Sequence, residues 1–435
     1  MVIAGMIGAG IFTTTGFQAQ DLGHPGWILF LWLVGGMLAW CGAMCFAELG
    51  AMMPEAGAEY VYLRESYGSA LAFASSFVAL FAGFSAPIAA VLKSLVQYLG
   101  YFFPIFADNL QFAGMVALND LVAIALVWGF VAIHARGLKV GMGFVDFVTG
   151  LKLFGIAGFI VTAVLVGNGL PENMVAVSPR YATLDAVDLT AALATSLVFV
   201  NFCYLGWNGA AYMAGEMKDP QCHLPLALLL GTGVVTILYL ALNLIYLYGT
   251  GVDGLAGAVD VGLVAAQALF GPVGSTVVAT LICISIVSSA SAMTAQGPRV
   301  YYAAGLDVAR LRWMARLSPN TATPINALIL QGAVTTVLIL SGRVDQILQY
   351  AGFTATLFAS LPVSCVIYLR VRRPDASRPF RAWGYPFTPL LFLGVSTWMM
   401  IWAIKGRPVE SLLGLATAGL GGMLFIGLKS GTKSA

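Results

Sequence analysis

Residues 1–16 read MVIAGMIGAGIFTTTG, with glycines at Gly5, Gly8, Gly10 and Gly16 and no charge before Asp21. A glycine inside a helix costs up to about 1 kcal/mol relative to alanine, so this apolar run is not built as a plain spanning helix. A second stretch, FVNFCYLGWNGAAYMAGEMKDP (199–220), sets Gly206 and Gly209 beside polar Asn201, Tyr204 and Asn208. Interrupted helices at matching places in two halves of a chain mark carriers built as inverted repeats. A break frees carbonyls and amides, which a bilayer tolerates only where they line a cavity. Carbonyls ending one half-helix can hold an ammonium, and amides opening the next can hold a carboxylate. The glycines are therefore expected to form a receptor for a zwitterion.

Composition sets the frame for that reading. The chain has 435 residues, of which 60% are hydrophobic and only 9% charged, and its mean hydropathy is +0.89. Soluble domains approach a quarter charged, whereas here apolar runs long enough to span a bilayer recur from end to end. The fold class is an all-α polytopic membrane protein. A membrane β-barrel is excluded, because its strands alternate apolar and polar residues. A net charge of +2 and the lack of a basic cluster interleaved with aromatics give no reason to expect a nucleic-acid partner. The six cysteines mostly lie inside apolar segments, without zinc spacing, and read as free thiols. The start has no basic n-region, so no cleavable signal peptide is expected.

At about 20 residues per crossing, twelve helices are expected, at 2–21, 26–52, 69–103, 113–134, 145–167, 189–215, 225–249, 263–297, 324–341, 346–370, 385–404 and 409–428. With both termini cytoplasmic, fifteen Lys and Arg fall on the inside and four, Arg180, Arg343, Lys405 and Arg407, on the outside. That asymmetry sets the orientation.

Five separated motifs then resemble the amino acid–polyamine–organocation transporter superfamily, and most closely its L-type amino acid transporter branch and bacterial relatives. They are MIGAGIF (6–12), AELGAMMPEAGAEYVYL (47–63), FCYLGWNGAAYMAGEMKDP (202–220), TPINALILQG (323–332) and RPFRAWGYPFTPLLF (378–392). The resemblance covers essentially the whole chain. It implies a LeuT-type fold of two inverted repeats, 1–167 and 189–370, with helices at 385–428 outside them, all in one transporter domain. It also implies transport of amino acids by exchange or proton-linked uptake. Ile7, Gly8, Ala9 and Gly10 fall on the family's substrate-binding turn, and Phe202 on the aromatic that covers the substrate. Cys203, Leu205 and Gly206 fall on the broken sixth helix, and Tyr204, Asn208 and Glu216 are candidates for the gate or its loop. Ala9 stands where relatives often have serine, which leaves only backbone amides for the carboxylate. Seven residues precede Gly8, about 10 Å of helix against roughly 15 Å for half the hydrocarbon core. Either the start is truncated or the inner gate is incomplete.

Lys152, within VTGLKLFGIAGFI (148–160), lies well inside the fifth span, and an intramembrane charge is functional by default. By the resemblance it takes the place of a sodium ion and ties the first helix to the fifth and eighth, which argues against sodium symport. Lys93 is expected to snorkel, with Asp120 as a candidate partner. Glu48, Glu55, Glu59 and Glu216 are expected in ion pairs at helix ends or in an inner gate, with Arg64 or Lys218.

Between the ends of the first, third, sixth, eighth and tenth spans there is no Asp or Glu. A second ammonium on the substrate would lack an ionic partner there, which is costly in low dielectric. A small neutral amino acid such as alanine, serine or threonine is therefore expected, moved by exchange. Alternatives are a proton-coupled symporter, a polyamine or cationic amino acid antiporter, and a membrane sensor that binds without translocating. An enzyme is not expected, since the three histidines form no metal-spaced cluster, and no cofactor motif occurs. The loop FFPIFADNLQF (102–112) has no cysteine, so no disulfide-linked heavy subunit is expected there. The location is expected to be a bacterial inner membrane.

Overall fold

The computed structural model describes residues 1–106, 110–112, 116–341, 344–406 and 408–430. Arg343, Arg407 and Lys433, counted above in the loop charges, lie outside the described residues, as do residues 107–109 of the loop after the third span. Among the described residues, ten helices are long and apolar enough to cross a membrane. The interrupted first span and the shorter Ile325–Leu340 bring the total to twelve, in the order expected. One two-residue antiparallel pair, Gln111–Phe112 with Val116–Ala117, is the only sheet among the described residues.

The breaks fall where the glycines are. The first span is a helix Val2–Met6, an extended Ile7 at φ −81° and ψ 96°, a 3-10 turn Gly10–Phe12 and a helix Thr14–Leu22. Left-handed Gly23 ends it, and Pro25 opens the second span, Pro25–Met52, whose first turn is capped by the His24 ring accepting from the Gly26 amide at 3.0 Å. The sixth span, bounded from sequence at 189–215 with a break at its glycines, is helical over Ala186–Tyr204. Leu205 then turns extended and a 3-10 segment, Ala211–Glu216, completes the crossing.

The third span, Ser69–Leu99, is also irregular. Ala79–Ser85 form a π-helical turn between Ser69–Val78 and Ala86–Leu99. Pro87 supplies the cause: it has no N–H to give and its ring would strike the carbonyl four residues back. The Tyr301 hydroxyl donates to the Ala79 carbonyl at 3.4 Å.

Packing separates centre from rim. In the second and third spans 67% of the most apolar window is buried, against 17% in the twelfth, so the former are central and the latter faces lipid. Polar contacts gather toward the face on which the chain begins. Glu48, 1% exposed, takes Arg370 Nε at 2.9 Å and Nη2 at 2.6 Å, the Ala382 amide at 2.7 Å, and has Arg378 Nε at 3.5 Å. One carboxylate thus joins the second span, the tenth, Val344–Arg372, and the loop before the eleventh, Phe387–Gly406. Glu55 pairs with Arg64 at 3.2 Å as expected. Glu216 corrects the sequence reading: its partner is Arg299 of the eighth span, at 2.9 Å, in place of Arg64 or Lys218. Lys93 meets Asp120 at 2.8 Å.

Removing a buried carboxylate that holds two guanidiniums leaves both uncompensated, at a cost of about 3–5 kcal/mol. Glu48→Gln is expected to lower the thermal unfolding temperature in detergent, and an unchanged temperature would contradict the structural role given to Glu48.

Candidate functional site

Where the first helix stops at Met6, the carbonyls of its last turn lose their helical donors. Two side chains replace them. Lys152, on the fifth span, Leu138–Val166, is 0% exposed and donates to the carbonyls of Ile7 at 2.8 Å, Ala4 at 3.2 Å and Ile3 at 3.5 Å. An ammonium at the C-terminal end of a half-helix also meets the negative pole of its dipole. The tie to the eighth span is not made by Lys152 itself: one turn earlier, Thr149 Oγ1 lies 2.9 Å from Ser288 Oγ on that span. Tyr239, on the seventh span, Pro220–Leu255, places its hydroxyl 2.7 Å from the Met6 carbonyl and 3.0 Å from that of Cys203. One phenol therefore serves both broken helices. Sequence reasoning missed it, because the seventh span was not expected to take part.

The two breaks touch directly. Gly206 has φ +101°, and a Cβ built on it would stand 2.8 Å from the Gly5 carbonyl carbon and 3.1 Å from the Met6 amide. No side chain fits between the strands of this crossing. A Cβ on Gly10 would come within 2.7 Å of Cys203 Sγ, which itself lies 3.0 Å from Thr14 Oγ1.

Between the breaks lies a cavity of about 150 Å³. Of the residues singled out from sequence, Gly8, Ala9 and Gly10 line it from the first helix, and Phe202, Cys203, Leu205, Gly206 and Asn208 from the sixth. Ile7 is fully buried outside it and contributes its carbonyl to Lys152. Tyr204 turns away, donating to the Trp32 carbonyl at 2.9 Å on the second span. Glu216 is taken up by Arg299. On the eighth span, Val261–Asp307, Ser289 faces the cavity, whereas Ser288 meets Thr149 and Ser291 lies 2.9 Å from His134 Nε2. Gln296 and, on the tenth span, Phe358 complete the wall.

Among the described residues, the amides of Gly8, Ala9 and Gly10 make no backbone hydrogen bond, nor do those of Gly206, Trp207 and Asn208. Donors of this kind, opening a half-helix, suit a carboxylate.

One expectation is overturned here. The cavity was expected to lack acidic groups, yet Glu59 lines it. It arrives from outside the lining spans, on the short connecting helix Glu59–Tyr67 before the third, so a search confined to those spans could not find it. It also departs from the expected ion pairing, since no cation pairs with it among the described residues.

A polytopic helical protein with two facing helix breaks around a cavity is built as a membrane carrier. The family model described as amino acid permease matches residues 1–425, and the chain belongs to that family, within the amino acid–polyamine–organocation superfamily. It is 27% identical to b(0,+)-type amino acid transporter 1 of Homo sapiens over 98% of this chain and 85% of that protein. It is 29% identical to the serine/threonine exchanger SteT of Bacillus subtilis (strain 168), over 92% of this chain and 88% of that one. A third relative, large neutral amino acids transporter small subunit 2 of Mus musculus, is 23% identical over 96% and 77% of the two chains.

Gly206→Ala places a methyl group against the backbone of the first helix at a positive φ, a strain on the order of 1–3 kcal/mol. The variant is expected to unfold at lower temperature and to lose ligand-induced quenching of Trp207, which neighbours the position. Wild-type behaviour in both assays would show that the two breaks need no contact.

Proposed function

We propose that this protein is a secondary active transporter that exchanges small neutral L-amino acids by alternating access. The observation that carries the reading is the meeting of two helix breaks around a cavity lined from the first helix by Gly8, Ala9 and Gly10 and from the sixth by Gly206 and Asn208, whose amides make no backbone hydrogen bond. In this reading Gly8, Ala9 and Gly10 bind the substrate carboxylate through their amides, and Ile7 acts through its carbonyl, held by Lys152. Phe202, Cys203, Leu205 and Gly206 cover and receive the amino acid from the sixth helix, and Asn208 lies at the edge of the gate. The repeats are 1–167 and 189–370, and helices within 385–428 stand outside them. The family places the chain among amino acid carriers, and the exchanger among its relatives, named for serine and threonine, supports small neutral cargo. The membrane is the bacterial inner membrane, with both termini on the cytoplasmic side.

Lys152 fills the place between the fifth and first helices where a coupling cation would sit, so no sodium ion is required. A second reading, a cationic amino acid as cargo, has one specific support, the Glu59 carboxyl in the cavity wall.

Counterflow in proteoliposomes tests these readings. Vesicles loaded with unlabelled neutral amino acids are presented in turn with labelled alanine, serine, leucine, arginine and putrescine. Uptake of a neutral substrate only into loaded vesicles is the expected result. Entry of arginine or putrescine alone selects the second reading, and binding without flux makes the protein a sensor. Lys152→Ala leaves three carbonyls without their charged donor, a loss of about 1.5–3 kcal/mol for a charge-assisted bond. Exchange is expected to fall on the order of tenfold or more, and uptake into empty vesicles driven by a pH gradient and lost in this variant would replace exchange with proton symport.

A further inference from the structure

The described residues hold several ionisable groups in or near the membrane, and nearly all have partners of opposite charge or a ring of donors. Glu59 has neither, and it is buried. It is 6% exposed, lines the cavity at its inner end, and is fixed at the start of its helix by a turn through Gly57 (φ +100°) and Ala58 (φ +38°). Its one hydrogen bond comes from the Tyr212 hydroxyl, which donates to Oε2 at 3.2 Å. Asn208 Nδ2 in turn donates to the Tyr212 oxygen at 2.9 Å, and the Phe84 ring packs edge-on against Tyr212 with centroids 5.3 Å apart. Glu59, Tyr212 and Phe84 thus join the connecting helix, the sixth span and the π-helical turn of the third into a floor under the cavity.

Among the described residues, the surroundings give this carboxyl no counter-ion. The ionisable groups set about it are phenols: Tyr62 from its own helix, Tyr212 from the sixth, and Tyr301 from the eighth. On the elements packed against its helix, Arg299 is held by Glu216, Asp307 by Tyr60 and Arg64, Arg370 by Glu48 and Arg373 by Glu65. Burial pushes the Glu59 carboxyl up to about 7, against a smaller opposing pull from the Tyr212 hydrogen bond. A carboxylate in such a place is costly, whereas a carboxylic acid needs only hydrogen bonds. When the cavity opens to the inner side, water reaches Glu59 and the charged form is favoured. The closed and open states therefore hold a proton with different affinity, and the proton must favour the closed one by the same factor.

Building on the exchanger reading, we infer that Glu59 is a proton-binding residue of the inner gate: as the acid it holds the floor shut with Tyr212, and on opening it releases that proton to the entering water. The sign follows from the direction of the shift. Acid keeps Glu59 neutral and the floor closed, and raising the pH through the closed-state value shifts the balance toward opening. The cargo itself carries no compensating cation, which agrees with a neutral substrate.

The test uses the full chain in proteoliposomes, with labelled serine exchanged against unlabelled serine at equal pH on both sides. For a single proton with a closed-state value near 7, the wild-type rate is expected to rise about tenfold between pH 6 and pH 8. Glu59→Gln, permanently neutral, is expected to stay at the slow acid-limb rate throughout, and Glu59→Asp to restore the rise. Tyr212→Phe removes the donor that favours the carboxylate and is expected to move the rise to higher pH, a second handle should the glutamine variant fail to fold. A pH-independent wild type, or a Glu59→Gln variant that keeps the rise, overturns the inference. The infrared C=O band of a protonated carboxyl, titrating near pH 7 in detergent and missing from Glu59→Gln, reads the proton site without transport. With that band present but no exchange of any amino acid, the proton site stands and the exchanger reading falls; with the band absent, the proton site falls.

Discussion

A backbone carbonyl at the middle of a bilayer cannot borrow a donor from water, and every departure from helix there has to be matched by a donor from elsewhere in the protein. At the end of Val2–Met6 that donor is the Lys152 ammonium, reaching three carbonyls of one half-helix, with the Tyr239 hydroxyl spanning to the second break. Take these away and the first helix has no reason to stop where it does. The cavity, the unpaired amides and the close approach at Gly206 all follow from that stop. The glycines permit the break, and the lysine and tyrosine hold it in place.

The same economy governs charge. Glu48, Arg370 and Arg378 meet where three segments converge, and Lys93 and Asp120 neutralise each other between the third and fourth spans. Each pair fastens elements that have little other polar contact. Against that background a buried carboxyl with only a phenol for company is a different kind of feature, since it is fastened to a neutral donor that gives up its hold when water enters.

Much of this architecture was legible in the chain. Long apolar runs gave twelve spans in order, because length and hydropathy alone mark a crossing. The matched glycines gave the two breaks, since few other reasons place Gly8, Gly10 and Gly206 in apolar surroundings. Lys152 was legible because an intramembrane charge has so few tolerable explanations. Other features were hidden for identifiable reasons. Tyr239 looks like any aromatic within an apolar span, and only its distance to two carbonyls distinguishes it. Glu59 sits in a segment that sequence assigns to a loop, and nothing in PEAGAEY says that the following turn folds it back under the cavity. Glu216 was given the wrong partner, since Arg299 is 83 residues away along the chain.

The π-helical turn at Ala79–Ser85 carries a constraint of its own. A π turn accommodates one residue more than an α turn, so the two halves of the third span are offset around the axis by about 100° relative to an unbroken helix. Ala79, Gly83 and Phe84, which line the cavity, owe their shared direction to that offset. Shortening the segment by a single residue restores a regular helix and swings the outer half away from the inner one. The length of this span is thereby fixed as firmly as its composition, and a chain that kept every contact residue but lost one unremarkable alanine here would present a different wall to its cargo.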